Sequence, residues 1–193
     1  MPSNRVAILG TGLIGSSIGL ALKAARPQTQ IAGYDASGEN LRRAQAVKAI
    51  DRRASLRDAL ADAELVIIST PVGAMKALFE EIAPLLPVQA LVMDTGSTKA
   101  TVLQWAADLL PNGVRFVGSH PMAGSEKRGV QFAQADLFER ATCVVTPDET
   151  TDPAALSAVE AFWSRLGMRT VRMSPEQHDL RVAEISHLPH TFA

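Results

Sequence analysis

A single cysteine stands in 193 residues. Cys143 has no partner for an internal disulfide, and in the run Thr142-Cys143-Val144-Val145 it reads as a buried strand residue rather than a nucleophile. Neither sign of charge is in excess, with 19 Lys plus Arg against 20 Asp plus Glu. That balance removes the electrostatic case for nucleic acid or an anionic membrane as partner. No apolar run approaches the ~18 residues that span a bilayer. The first strand begins within a few residues of Met1, which leaves no room for a signal peptide, so a cytoplasmic location is expected. Repeats and low-complexity tracts are missing as well. What is present is a globular composition, 47% hydrophobic and 20% charged, sufficient for one large domain or for one domain and the start of another.

The N-terminus carries the densest information. Arg5-Val6-Ala7-Ile8-Leu9 reads as a short buried strand running into Gly10-Thr11-Gly12-Leu13-Ile14-Gly15 and then an apolar helical pattern. Asp35 closes the next strand-like run, 20 positions after Gly15. Strand, glycine turn, helix, strand and acid is the order of a dinucleotide-binding βαβ unit. Gly10 allows the sharp turn, Gly12 lets backbone approach a pyrophosphate, and Gly15 lets helix and strand pack closely. Free N–H groups at the helix start favour a diphosphate. Asp35 is expected to accept hydrogen bonds from ribose hydroxyls and to repel a 2′-phosphate, which selects NAD over NADP; Arg42 and Arg43 farther on soften that preference.

Strands and helices alternate along the chain, which predicts an α/β, Rossmann-like, doubly wound and mostly parallel sheet. Further strands are expected at 30–34, near 49–54, and at 65–69, 90–94, 114–117, 142–145 and 170–173, with helices at 37–47, 56–63, 74–86, 99–110 and 153–166. The stretch 122–140 reads as a functional loop with a short helix. From Pro175 a helical pattern runs to Ala193 without a cap or polar tail. The division expected is a nucleotide-binding domain over 1–174 and, over 175–193, the first helix of a truncated helical domain.

Ligands bind beyond the carboxyl ends of strands in such a sheet. Three turns stand there: Ser69-Thr70-Pro71-Val72, Asp94-Thr95-Gly96-Ser97-Thr98-Lys99, and Gly118-Ser119-His120-Pro121-Met122-Ala123-Gly124-Ser125-Glu126. If the strands before them are neighbours, the turns converge on the nicotinamide end of the cofactor. His120 is the best acid–base candidate, because its ordinary pKa lies near neutrality. Ser97 either orients His120 or the substrate, or simply caps the helix that follows. His178, His187 and His190 complete the four histidines. His187 and His190 supply two ligands with no Cys or acid cluster to complete a set, so no metal site is expected.

These residues together resemble the prephenate and arogenate dehydrogenases of tyrosine biosynthesis. The resemblance covers nearly the whole chain: the glycine loop, the Asp94–Lys99 turn as D-x-G-S-x-K, Gly118–Glu126 as GxHPMAG, and Ser186-His187-Leu188-Pro189-His190 as SHLPH, with His178 at the usual distance before it. It implies NAD-dependent oxidative decarboxylation of prephenate to 4-hydroxyphenylpyruvate. His120 and Ser97 would be catalytic. Ser125, Glu126, His178, His187 and His190 would face the substrate. Gly10, Gly12, Leu13, Ile14, Gly15, Asp35, Ser69, Thr70, Pro71, Val72 and Gly96 would hold the cofactor. Arogenate, or both substrates, is the alternative reading, and a non-catalytic nucleotide-binding module is the alternative of another class. Family members continue into a helical domain that forms a homodimer and supplies an Arg to the substrate. The chain by itself is therefore expected to bind NAD and to turn over prephenate poorly.

Overall fold

The computed structural model describes residues 4–124, 127 and 129–187, with side chains up to Glu184. Eight strands form one sheet: β1 Arg5–Leu9, β2 Gln30–Tyr34, β3 Arg52–Arg53, β4 Leu65–Ile68, β5 Leu91–Asp94, β6 Arg115–Met122, β7 Thr142–Thr146 and β8 Arg169–Arg172. Six helices lie between them, α1 Leu13–Ala25, α2 Gly38–Ala46, α3 Leu56–Leu60, α4 Val72–Ile82, α5 Ala100–Leu109 and α6 Pro153–Arg165, and α7 Pro175–His187 follows β8. The strand order is β3-β2-β1-β4-β5-β6-β7-β8. All neighbours are parallel except β6 and β7. The expected doubly wound fold is thus present, and β4, β5 and β6 do lie side by side.

The central strands are apolar throughout because both faces are covered. Their side chains alternate between two cores. Val6, Ile8, Ile31, Leu65, Ile67, Leu91 and Met93 join α1 and α6, where Phe138 and Trp163 meet edge to face. Ala7, Leu9, Ala32, Val66, Ile68 and Val92 join the opposite layer with Leu60, Met75, Phe79 and Val102. Successive side chains of one strand thus enter opposite layers, and both layers are buried.

Helix boundaries follow local chemistry. Ser37 accepts from Asn40 N to cap α2, and Ser55 accepts from Asp58 N to cap α3. Asp152 accepts from Ala155 N to cap α6, with Pro153 at the first turn that tolerates it. Helix α4 starts at Val72, two residues before its expected start, and tightens into a 3₁₀ turn at Ala83–Leu85 around Pro84.

One expectation fails in an informative way. Gly118–Glu126 is not a turn from its first residue, because β6 continues through Met122. Arg115, Phe116 and Val117 pair with β5, and Gly118 to Met122 pair antiparallel with β7. Beyond Asp94, strand β5 has ended, so this stretch has a strand on one side only. Pro121, which lacks an N–H, is tolerated at such an edge.

Candidate active site

The carboxyl ends of β1, β2, β4, β5 and β6 open onto one cavity of about 1390 Å3. Its floor at the β1–β4 crossing is the glycine loop. Gly10 holds φ at +96°, and a Cβ there would lie 2.6 Å from Ser69 backbone atoms. A Cβ on Gly15 would lie 2.0 Å from the Gly10 carbonyl oxygen. Gly15 is therefore buried beneath the loop and does not line the cavity, in keeping with the close helix–strand packing expected of it. Gly12 differs, because nothing stands within 4 Å of the position of its Cβ. It lines the open cavity together with Leu13 and Ile14. Helix α1 starts at this point with no side-chain cap and no acid in its first turn. Its orphan N–H groups suit an anionic ligand.

Asp35 stands at the end of the cavity beyond β2. One carboxylate oxygen accepts from Thr11 N at 2.7 Å and Thr11 Oγ1 at 3.1 Å, and the other accepts from Ser37 N at 2.8 Å. The carboxylate is therefore held in place before any ligand arrives. Asn40 donates to it at 3.4 Å and also lines the cavity, a partner that no sequence spacing announced. Ser69, Thr70, Pro71 and Val72 line the wall after β4, and Gly96 and Ser97 that after β5. The buried Thr70 Oγ1 has no hydrogen-bond partner among the described residues.

His120 reaches the cavity from β6, at the opposite end from Asp35. Its Nδ1 lies 2.9 Å from His178 Nε2, and the two rings meet edge to face at 5.1 Å. His178 Nδ1 lies 2.8 Å from Asp179 Oδ1. His178 is fully buried and stands behind His120, off the cavity wall. Its place beside His120 follows from the packing of α7 against β7 and the start of α5. Ser97 is exposed on the cavity wall, and no hydrogen bond joins it to His120 among the described residues. Nor does it cap α5. Asp179 does so from 80 positions away, accepting from Lys99 N at 2.7 Å and from Ala100 N at 3.0 Å. Ser125, Glu126 and His190 and the side chain of His187 lie outside the described residues.

Beneath this assembly lies a buried ion pair. Lys99 Nζ donates to Asp94 Oδ2 and, at 3.0 Å, to the Ser119 carbonyl. Asp94 also accepts from Gly96 N at 2.7 Å and Ser119 N at 3.2 Å. The network ties the end of β5 to β6 one residue before His120. Burial, with the nearby His178 and the Lys99 cation, lowers the pKa of His120 to about 4, and Asp179 opposes this only in part. His120 is accordingly neutral at pH 7. Burial disfavours ionisation of Asp179, yet the hydrogen bonds from His178 and from the two backbone N–H groups outweigh it and hold the carboxyl below its usual range. The Cys143 thiol, paired across from Pro121 on β7, is pushed well up by burial and stays protonated. The arrangement combines a dinucleotide cradle with a neutral imidazole at its far end, a geometry suited to removing a proton beside a transferred hydride.

Comparison with known proteins shows the family. Residues 18–172 match the family model "Prephenate dehydrogenase, nucleotide-binding domain". The chain is 40% identical over 190 residues to a prephenate dehydrogenase of Bacillus subtilis, covering 97% of this chain and 51% of that protein. It is 39% identical over 189 residues to a cyclohexadienyl dehydrogenase of Zymomonas mobilis, covering 97% of this chain and 64% of that one. The crystal structure of prephenate dehydrogenase from Aquifex aeolicus in complex with hydroxyphenyl propionate and NAD+ superposes with a TM-score of 0.91 at 31% identity, over 99% of this chain and 67% of that one. The chain thus spans about half the length of the Bacillus relative. Fold, glycine crossing and sequence identity together place this chain in the prephenate dehydrogenase family.

Proposed function

We propose that this chain is the NAD-binding part of an enzyme that oxidises and decarboxylates prephenate to 4-hydroxyphenylpyruvate. The observation that carries the reading is that His120, an imidazole kept neutral at pH 7, lines the same cavity as the open face of Gly12. The residues present fit a dinucleotide. The bare Gly12 and the uncapped start of α1 suit a pyrophosphate, Thr70 Oγ1 has capacity for a ligand hydrogen bond, and Asp35 suits an unphosphorylated ribose.

NAD+, when bound, accepts the hydride from C4 of the substrate. His120 takes the C4 hydroxyl proton at Nε2, since its Nδ1 is engaged by His178. The C4–O bond then becomes a carbonyl, and cleavage of the C1–carboxylate bond releases CO₂ and sends its electron pair into the ring. The resulting phenolate takes up a proton, so no net proton is gained or lost. Ser97 on the same wall would hold the hydroxyl in line. A second reading, arogenate or both substrates, is favoured by the cyclohexadienyl dehydrogenase relative.

The test is reduction of NAD+ and NADP+ with prephenate and with arogenate, by this chain and by any longer gene product that contains it. NAD+ reduction with prephenate is expected of the longer product and little of this chain; binding of NAD+ without turnover of either substrate in the longer product overturns the reading. There, His120→Asn is expected to lower turnover by ~10²–10⁴ with NAD+ affinity unchanged.

A further inference from the structure

We propose that Asp179 and His178 are positioning residues that set the tautomer of His120, through a hydrogen-bond relay running from α7 to the cavity. The proposal rests on the reading of His120 as proton acceptor, and adds what makes the correct nitrogen available.

The argument starts at Asp179. Its carboxylate faces three N–H groups, those of Lys99, Ala100 and the His178 ring. An ionised carboxylate only accepts hydrogen bonds. His178 Nδ1 must therefore carry a hydrogen. In a neutral imidazole the other nitrogen is then an acceptor, and His178 Nε2 is directed at His120 Nδ1, 2.9 Å away. His120 Nδ1 must supply that hydrogen, so its Nε2 is left with a lone pair. Each choice follows from the one before, and the whole chain of choices is anchored where Asp179 closes the N-terminus of α5.

The surroundings of His120 favour its neutral form: it is largely buried against the fully buried His178, and the Lys99 cation lies nearby, paired with Asp94 on β5. Across on β7, Cys143 is a protonated thiol. A hydrogen on His178 Nε2 would reverse the relay, making that nitrogen a donor and leaving His120 with its hydrogen on Nε2, unable to accept a proton there. When His120 does accept one, the hydrogen on its Nδ1 stays bonded to His178, and Asp179 stabilises the new charge from behind. Both residues follow β8 on one helix, so docking of α7 against α5 delivers the support to a histidine 58 positions earlier.

The direct test is imidazole ¹⁵N–¹H correlation spectroscopy on the labelled 193-residue chain at neutral pH. Protonated Nδ1 and bare Nε2 are expected for His120, the tautomer that free histidine favours less. Finding the hydrogen on Nε2 overturns the proposal without a variant being made. His178→Phe removes the acceptor, and His120 is expected to move to the Nε2–H form. His178→Gln keeps an acceptor oxygen within reach and is expected to retain the wild-type tautomer. An unchanged tautomer in folded His178→Phe would also sink the relay. In a longer product that turns over prephenate, His178→Phe is expected to lower kcat by ~10²-fold with KM little changed, and His178→Gln to restore most of it. Because the tautomer is read without turnover, failure of the relay is separable from failure of His120 as the acceptor.

Discussion

Gly12 and Gly15 are three residues apart and have opposite tolerances. The space around Gly12 opens onto the cavity, and that around Gly15 is filled by the backbone of Gly10. Gly12→Val is expected to cost only about 1 kcal/mol of unfolding free energy, the change of an N-cap residue. NAD+ affinity should fall at least ~10-fold, since even 1.4 kcal/mol of steric conflict has that effect. Gly15→Ala should instead cost about 2–3 kcal/mol in urea unfolding, because backbone must move to admit the methyl. If the two variants behave alike, the loop does not divide its glycines in this way. His120 supports a prediction in pH. Its folded pKa of about 4 lies below the ordinary 6.5, so between those values the unfolded chain binds a proton that the folded chain refuses. Stability from this residue is fully present above pH 6.5 and declines as pH falls toward 4. His120→Asn is expected to remove that loss, on the order of 3 kcal/mol, when unfolding of the two proteins is compared across the window.

At the level of elements, the site is made where strand ends and helix starts are tied to each other. The Lys99–Asp94 pair joins β5 to the start of α5 and, through Ser119, to β6. A buried pair of this kind contributes little net stability, but losing one partner leaves the other charged and unpaired. Lys99→Met should therefore destabilise the chain by about 3–5 kcal/mol in denaturant unfolding. A loss below 1 kcal/mol would show that water or another group satisfies Asp94. Strand β6 matters for the same reason. Its antiparallel pairing with β7 continues past the end of β5, and that extension carries His120 out over the cavity. The pattern Gly-Ser-His-Pro-Met reads locally as a turn because Pro ends most strands. What reverses the reading is the lack of a neighbour on one side, which a local pattern does not contain.

Across the whole molecule, the cavity gathers residues from β1, β2, β4, β5 and β6, with its supporting histidine arriving on α7. The buried hydrophobic residues of both cores all precede Ser174 among the described residues. A chain ending at Ser174 is thus expected to fold and to keep NAD+ affinity within ~3-fold, less than 1 kcal/mol. His120 should then titrate closer to its ordinary value, since its buried partner has gone. Loss of NAD+ binding in that shorter chain would show that α7 supports the cradle too. Most of the sheet was legible beforehand: an apolar strand, a glycine crossing and an acid at the next strand end are local patterns set by chain geometry and burial. Gly12, Asp35 and Thr70 could be named as candidates for the same reason, as each follows a strand end that the alternation marks, whereas His120 lies inside β6. The partner of His120, the cap of α5 and the pairing of Lys99 were not legible. Those contacts join residues 58, 80 and 5 positions apart by direction in space. Sequence alone determined which side chains stand near the strand ends, whereas only tertiary packing decided which groups are desolvated together, and hence which nitrogen of His120 faces His178.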